Sequence, residues 1–236
     1  MPMAGRRRHF DRRRRHFERY QVGAAVYDLL SAERPLYGRP RRRGIELLAL
    51  RPGMTVVDVG CGTGLSFPWL EAAVGPAGRV VGVDASAAML DRAAGRVVRS
   101  GWLNVTLVHA PADHLDQALA DAGIDPGDVD AVVLAYALSV MSGWQEAWRQ
   151  VVGLAAGTRV AIVDLELATG AAAALNPLWR LLCALGGSDP TRHPARRAAA
   201  DLTQLHYDRL LGGHVTVLAG RLPRRDEPDE AAGAAG

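Results

Sequence analysis

Hydrophobic positions along the chain alternate between two periods. Short β-branched runs stand at Met54–Val59, Arg79–Asp84, Asn104–His109, Asp130–Ala135 and Arg159–Leu165. Ala/Leu-rich stretches with helical spacing separate them: Leu65–Val74, Ser86–Ser100, Ala112–Ala122 and Gly143–Leu154. Strands spaced by helices of this length predict βαβ units and a parallel sheet. The strands are nearly continuous apolar runs, as expected where helices cover both faces. Two helices are expected upstream, Tyr20–Ser31 and Arg41–Leu50, and two downstream, Ala171–Leu185 and Pro194–Leu205. His214–Ala219 then reads as a late strand paired with a segment near Gln204–Leu210. The pattern predicts one α/β domain at 20–223, with helical additions at 20–50 and 171–205.

Composition narrows the class. Of the 236 residues, 49% are hydrophobic and 22% charged, the balance of a globular chain. No apolar run reaches the ~18 residues of a spanning helix. Two cysteines, Cys61 and Cys183, exclude a disulfide scaffold and a cysteine-rich zinc site, and no metal is expected. The N-terminus lacks a secretory h-region, which makes a cytoplasmic setting the expectation. Charge is unevenly placed. The chain has no lysine, and residues 1–43 hold 13 Arg against 4 acids, while 44–236 are net acidic. RRRHF at Arg6–Phe10 recurs at Arg13–Phe17, so a helix there would set Phe10 and Phe17 on one side. Residues 1–19 thus read as a basic arm, either a solvated extension or an amphipathic segment for an anionic surface. The tail, 224–236, reads as disordered.

The most informative segment is Val56–Phe67, VVDVGCGTGLSF. A strand carries Asp58, passes through Gly60, Gly62 and Gly64, and opens a helix. Glycines serve where a backbone turns tightly and approaches a ligand. A helix start offers free N–H groups to an anion. A dinucleotide fold wants G-x-G-x-x-G, and Leu65 stands where its third glycine would be. Asp84 ends the second strand, 20 residues after Gly64, where an acid can hold both hydroxyls of an unphosphorylated ribose.

Together these residues resemble the class I S-adenosylmethionine-dependent methyltransferases. Asp58-Val59-Gly60-Cys61-Gly62-Thr63-Gly64 fits the family's (D/E)-x-G-x-G-x-G motif position by position. The resemblance covers roughly Arg41–Leu167. It implies a Rossmann-like, doubly wound, seven-stranded and mostly parallel sheet, one antiparallel strand near the C-terminus, and helices on both faces. It also implies S-adenosyl-L-methionine as cofactor. Asp58, Gly60, Cys61, Gly62 and Gly64 would hold it through the glycine loop, and Asp84 and Ala85 at the ribose. The family's adenine-binding acid falls on Pro111, so adenine recognition passes to Ala112 and Asp113 or to shape; Asp113 reads equally as a helix-start acid. Leu134, Ala135 and Tyr136 follow as pocket residues at the end of strand four, with Tyr136 as core the alternative.

Methyl transfer needs positioning more than a dedicated triad, and no catalytic base is named. No N-P-P-Y or D-P-P-Y follows strand four and no Pro-Cys pair exists, which argues against nucleic-acid bases as acceptors. Two cysteines are too few for arsenite chemistry. Tyr27-Asp28-Leu-Leu, the Arg-rich helix after it and Ala137-Leu-Ser-Val-Met141 are similar to bacterial phospholipid N-methyltransferases, and more loosely to ubiquinone/menaquinone C-methyltransferases. A small-molecule or lipid acceptor is therefore expected, a phospholipid-like amine first. Tyr27 and Tyr37 could face a cationic amine, or pack as helix residues. Peripheral contact with an anionic membrane would suit the basic arm. An RNA methyltransferase using that arm and a non-catalytic cofactor-binding subunit are the alternatives from other classes.

Overall fold

A computed structural model describes residues 36–223. The basic arm, the expected helix Tyr20–Ser31 with Tyr27, and the tail lie outside the described residues. Five parallel strands come first: β1 Thr55–Val59, β2 Arg79–Asp84, β3 Val105–His109, β4 Ala131–Ala135 and β5 Arg159–Leu165. β6 Thr203–Leu210 and β7 Val215–Arg221 complete a seven-stranded sheet of order β3-β2-β1-β4-β5-β7-β6. β7 is antiparallel to both neighbours, so it alone runs against the sheet.

Alternation along the strands builds two cores. Val57, Val59, Val132 and Leu134 face one side. There they meet α4 (Leu115–Asp121), α5 (Trp144–Val152) and α7 (Pro194–Ala198), through Leu119, Trp148 and Ala195. Val56, Ala131, Val133 and Val163 face the other. Here lie α1 (Gly38–Leu47), α2 (Phe67–Val74), α3 (Ala87–Ser100) and α6 (Asn176–Gly186), represented by Ile45, Leu70, Leu90 and Cys183. α1 approaches closely because Gly44 has no side chain: a Cβ there would stand 2.6 Å from Val163 of β5 and 3.7 Å from Val217 of β7. No helix among the described residues is long and apolar enough to cross a membrane.

Three expected boundaries move, one of them the start of the helix expected over Ala171–Leu185, which begins only at Asn176 after a 3-10 segment Gly170–Leu175. The expected helix Arg41–Leu50 runs Gly38–Leu47 instead. Pro40 sits in its first turn, where a missing N–H costs nothing. The expected helix Pro194–Leu205 stops at Ala198, passes through a 3-10 turn, and gives way to β6 at Thr203. From Thr203 the pattern alternates with period two, and pairing with β7 outweighs the helical tendency of the alanines before it. The helical addition at 171–205 therefore ends before β6. β6 carries a bulge between Thr203 and His206, with Gln204 at φ 52.

The strand order reverses between β1 and β4. In open α/β sheets ligands bind at the carboxyl ends of the strands flanking such a point.

Candidate functional site

A cleft of about 230 Å³ opens there. Gly60 and Gly62 form one wall, Asp84 and Ala85 another, and Ala112 and Asp113 a third, while Tyr136 and Met141 come from the loop after β4.

The wall nearest β1 begins where that strand hands over to the glycine loop. The Gly60 and Cys61 amides both donate to Val83 O, at 2.8 and 3.0 Å, which ties the loop to β2. Gly60 stands at φ 71, and a Cβ on it would lie 2.8 Å from Ala137 and 2.9 Å from Met141. Gly62 stands at φ 55, and a Cβ there would meet nothing within 4 Å. Gly60 thus allows the β4 loop to close on the β1 loop, whereas Gly62 leaves room in the cleft. Arg96 Nε donates to Thr63 O at 3.0 Å and braces the loop from α3.

Asp84 links two walls. Its Oδ2 accepts from Gly62 N and its Oδ1 from Ser86 N, each at 2.8 Å. Burial lifts its pKa, while the Ser86 and Gly62 amides and His109 oppose the shift. A carboxylate has about four lone-pair positions, so each oxygen keeps one beyond these bonds. Ser86 caps α3, its side chain accepting from Met89 N. Ala85 O accepts from His109 Nε2 at 3.1 Å. On the third wall Asp113 takes a hydrogen bond from His114 Nδ1 at 3.2 Å, within the short 3-10 turn Ala112–His114.

Asp58 lies deeper and is 1% exposed. Burial pushes its pKa up to about 6, helped by Asp84, against the pull of Arg41 and a Ser66 hydrogen bond. Its Oδ2 is buried with no hydrogen-bond partner among the described residues. Arg41, from α1, is also buried and donates to Ser66 Oγ at 3.2 Å. Its guanidinium lies 5.0 Å from the centre of the Tyr136 ring.

The fourth side is set by β4 and β5. Tyr136 leaves β4 at φ 59, a left-handed conformation that is costly for a side chain of this size. Its amide donates to Val163 O at 2.6 Å and its hydroxyl to Tyr37 O at 2.9 Å. Asp164 fixes the following loop: its Oδ2 accepts from Ser139 N and its Oδ1 from Leu165 N, each at 2.8 Å. Burial lifts Asp164 to about 6 despite these bonds.

Of the expected site residues, the cleft brings together Gly60, Gly62, Asp84, Ala85, Ala112, Asp113 and Tyr136. The others among the described residues stand outside its lining. Asp58 is beneath it. Gly64 is buried, and a Cβ on it would strike the Phe67 ring at 2.6 Å. Ala135 is buried in β4, and so is Leu134, which belongs to the core. Cys61 turns its thiol toward β2, where a Cβ on Gly82 would come within 3.0 Å of Sγ. Burial, Asp58 and Asp84 together push that thiol's pKa up. Tyr37 stands one ring behind Tyr136, their centroids 5.3 Å apart, and is not part of the lining. Its hydroxyl pairs with His214 Nε2 at 3.2 Å. The other ring nitrogen, Nδ1, donates to Glu166 O, so Nε2 is the acceptor for Tyr37. Burial lowers the His214 pKa, in keeping with a neutral ring.

Sequence reasoning missed Met89, Val140, Ser142, Gly143 and Ala147 as lining residues. The helix start at Ser86 was a signal for Met89, one turn on. Ala147 faces the cleft only because α5 packs where it does, which no local pattern encodes.

Residues 56–156 match the family model of a methyltransferase domain. Among curated relatives, nocamycin O-methyltransferase of Saccharothrix syringae is 40% identical over 86 residues, 36% of this chain and 29% of that protein. Demethylmenaquinone methyltransferase of Staphylococcus aureus is 40% identical over 75 residues, 32% of this chain and 30% of the relative. The chain thus spans less than a third of the length of these curated relatives. Among solved structures, a chain of the complex between the Haloferax volcanii Trm112 methyltransferase activator and a methyltransferase superposes with a TM-score of 0.64. That superposition is at 15% identity and covers 87% of this chain and 98% of the other.

Proposed function

We propose that this chain, whose residues 56–156 match a methyltransferase domain, is a class I, S-adenosylmethionine-dependent methyltransferase that acts on a small-molecule or lipid acceptor, a phospholipid-like amine first. The observation that carries this reading is Asp84. Two backbone amides hold its carboxylate at the end of β2, and it lines the cleft with lone pairs to spare for a ribose diol.

The residues present fit the donor. Asp58 Oδ2 is a buried acceptor awaiting a donor, which suits an ammonium group. Gly62 keeps open the space a side chain would take. When bound, S-adenosylmethionine supplies an electrophilic methyl on a sulfonium. In this reading Asp84 and Ala85 hold the ribose, the backbone at Gly60 and Gly62 holds the amino-acid end with the Asp58 carboxyl beneath it, and Ala112 with Asp113 hold the adenine. Tyr136 borders the methyl. The protein contributes alignment of acceptor and methyl in a water-poor cleft. An amine acceptor that arrives neutral needs no base at the moment of attack. A quinone C-methyltransferase is the second reading, favoured by the likeness to demethylmenaquinone methyltransferase.

Titration calorimetry of the purified chain with S-adenosylmethionine tests the first step. Incubation with labelled donor and a lipid and quinone extract, read by mass spectrometry, tests the acceptor. Donor binding is expected, with label in amine-bearing lipid. Label in quinone selects the second reading, and failure to bind the donor overturns both.

A further inference from the structure

Arg159 opens β5 and Arg221 closes β7, and the antiparallel register sets the two directly opposite each other. The seven residues of β5 put this pair about 20 Å from the cleft, at the foot of the sheet. Alternate residues of a strand share a face, so both arginines stand on the side of Val163 and Val217, where α1 packs. Residues directly opposite in an antiparallel pair have Cβ atoms about 5 Å apart, and like charges there repel. Met54 ties Arg51, just past the end of α1, to the pair: its sulfur accepts from Arg51 N and from Arg159 Nη1, each at 3.3 Å. Burial, Arg221 and Arg51, in that order, push the Arg159 pKa down, and Asp130 opposes them.

A group of like charges calls for counter-charge, and the fold supplies little. Among the described residues none of the three arginines forms an ion pair with a carboxylate, whereas Arg43 pairs with Asp208 and Arg196 with Glu166. Asp130 is near, but its Oδ2 already accepts from Thr55 N at 2.8 Å. Donors stand idle as well. A guanidinium has five N–H groups. Arg159 gives one to a sulfur, a weak acceptor, and its buried Nε has no hydrogen-bond partner among the described residues. Arg221 gives one to Gly157 O at 3.3 Å.

We propose that Arg159 and Arg221, with Arg51 beside them, bind a phosphate monoester at the foot of the sheet, a site separate from the cleft. Charge selects the ligand class. Three guanidinium groups against the single carboxylate of Asp130 leave a net positive charge that a dianion complements. Geometry agrees. A carboxylate offers two oxygens and saturates one guanidinium fork, whereas the tetrahedral phosphate of a monoester has three free oxygens and can bridge two forks. Bound there, the dianion relieves the repulsion between the two strand ends.

The inference does not rest on the methyl-transfer reading, and S-adenosylmethionine plays no part in its test. The probe is glycerol 3-phosphate added to the full-length, nitrogen-15-labelled chain, with sodium chloride of equal ionic strength as the control. The Arg159 Nε–H resonance, identified by its loss in Arg159→Gln, should shift saturably with the probe and not with chloride. Arg221→Gln should weaken that binding about tenfold, while Arg92→Gln, an exposed change on α3, should leave it unchanged. Melting gives a second readout. In chloride alone Arg221→Gln should be at least as stable as wild type, because the opposed charges are gone. The probe should raise the melting temperature of wild type more than that of the variant. A resonance that follows ionic strength alone overturns the inference. So does binding indifferent to Arg221→Gln, or equal stabilisation of both chains by the probe. Co-sedimentation with phosphatidic-acid vesicles identifies the source of the phosphate. Vesicle binding that falls in Arg221→Gln assigns it to a lipid headgroup, and vesicle binding equal to wild type, with probe binding weakened, assigns it to a soluble ligand.

Discussion

Asp58 and Asp84 are both lifted by burial, yet they differ in what surrounds them. Asp84 spends its charge on two backbone amides, whereas Asp58 keeps an unpartnered oxygen. A buried carboxyl raised from 3.8 to about 6 binds protons more tightly folded than unfolded. Its contribution to stability is therefore full below pH 3.8 and is lost as pH rises through 6. Asp58→Asn removes this penalty. The variant without cofactor should be about 1–3 kcal/mol more stable than wild type at pH 8, the gain fading toward pH 4. It should also bind S-adenosylmethionine more weakly. Denaturant melts across that pH range check the sign, and a pH-independent difference would refute it. Asp84→Ala should cost two charge-assisted hydrogen bonds to the ribose, each worth ~1.5–3 kcal/mol. Calorimetry showing unchanged affinity would remove Asp84 from the site. The roles of such residues are legible in sequence only in part. The motif marks Asp58, but its lone buried oxygen and the nearby Arg41 depend on α1 crossing the sheet at Gly44.

Within the elements, the two glycines of the β1 loop should separate under substitution. Gly62→Val places its side chain in open space, so the fold should survive at the cost of a strained left-handed residue, ~1–3 kcal/mol. Donor binding should be lost, because that open space is the cleft. Gly60→Ala meets Ala137 and Met141 and should lower the melting temperature even without cofactor. Calorimetric melts with and without donor distinguish the two. Strand and helix order was readable because the five parallel strands are short β-branched runs and the helices between them Ala/Leu stretches. The hairpin β6–β7 was half readable. β6 is an edge strand whose residues are mostly exposed, so its period-two pattern is thin and the stretch before it looks like more helix. The residues that line the cleft from α5 were not readable, because a helix's facing is decided by what it packs against.

For the molecule as a whole, the basic arm is the feature with the largest charge and the least connection to the βα pattern. Removing residues 1–19 should leave folding and donor affinity unchanged. If the arm recruits the chain to an anionic surface, binding to phosphatidylserine-containing vesicles should fall on truncation, most clearly at low salt. Equal vesicle binding by both forms, measured by co-sedimentation, would leave the arm as a solvated extension. The fit of α1 against Val163 and Val217 also bears on the order of events during synthesis. α1 leaves the ribosome before any strand, but part of its seat is β7, among the last elements made. Arg43 of α1 is fastened the same way, donating to Asp208 of β6 at 3.0 Å. Such distant pairings bear loop-closure entropy before they are rewarded. α1 must therefore wait, unseated, for nearly the whole domain to emerge. A ribosome stalled before residue 203 should display a nascent chain with the β1–β4 region protected from protease and α1 still open to cleavage among its arginines.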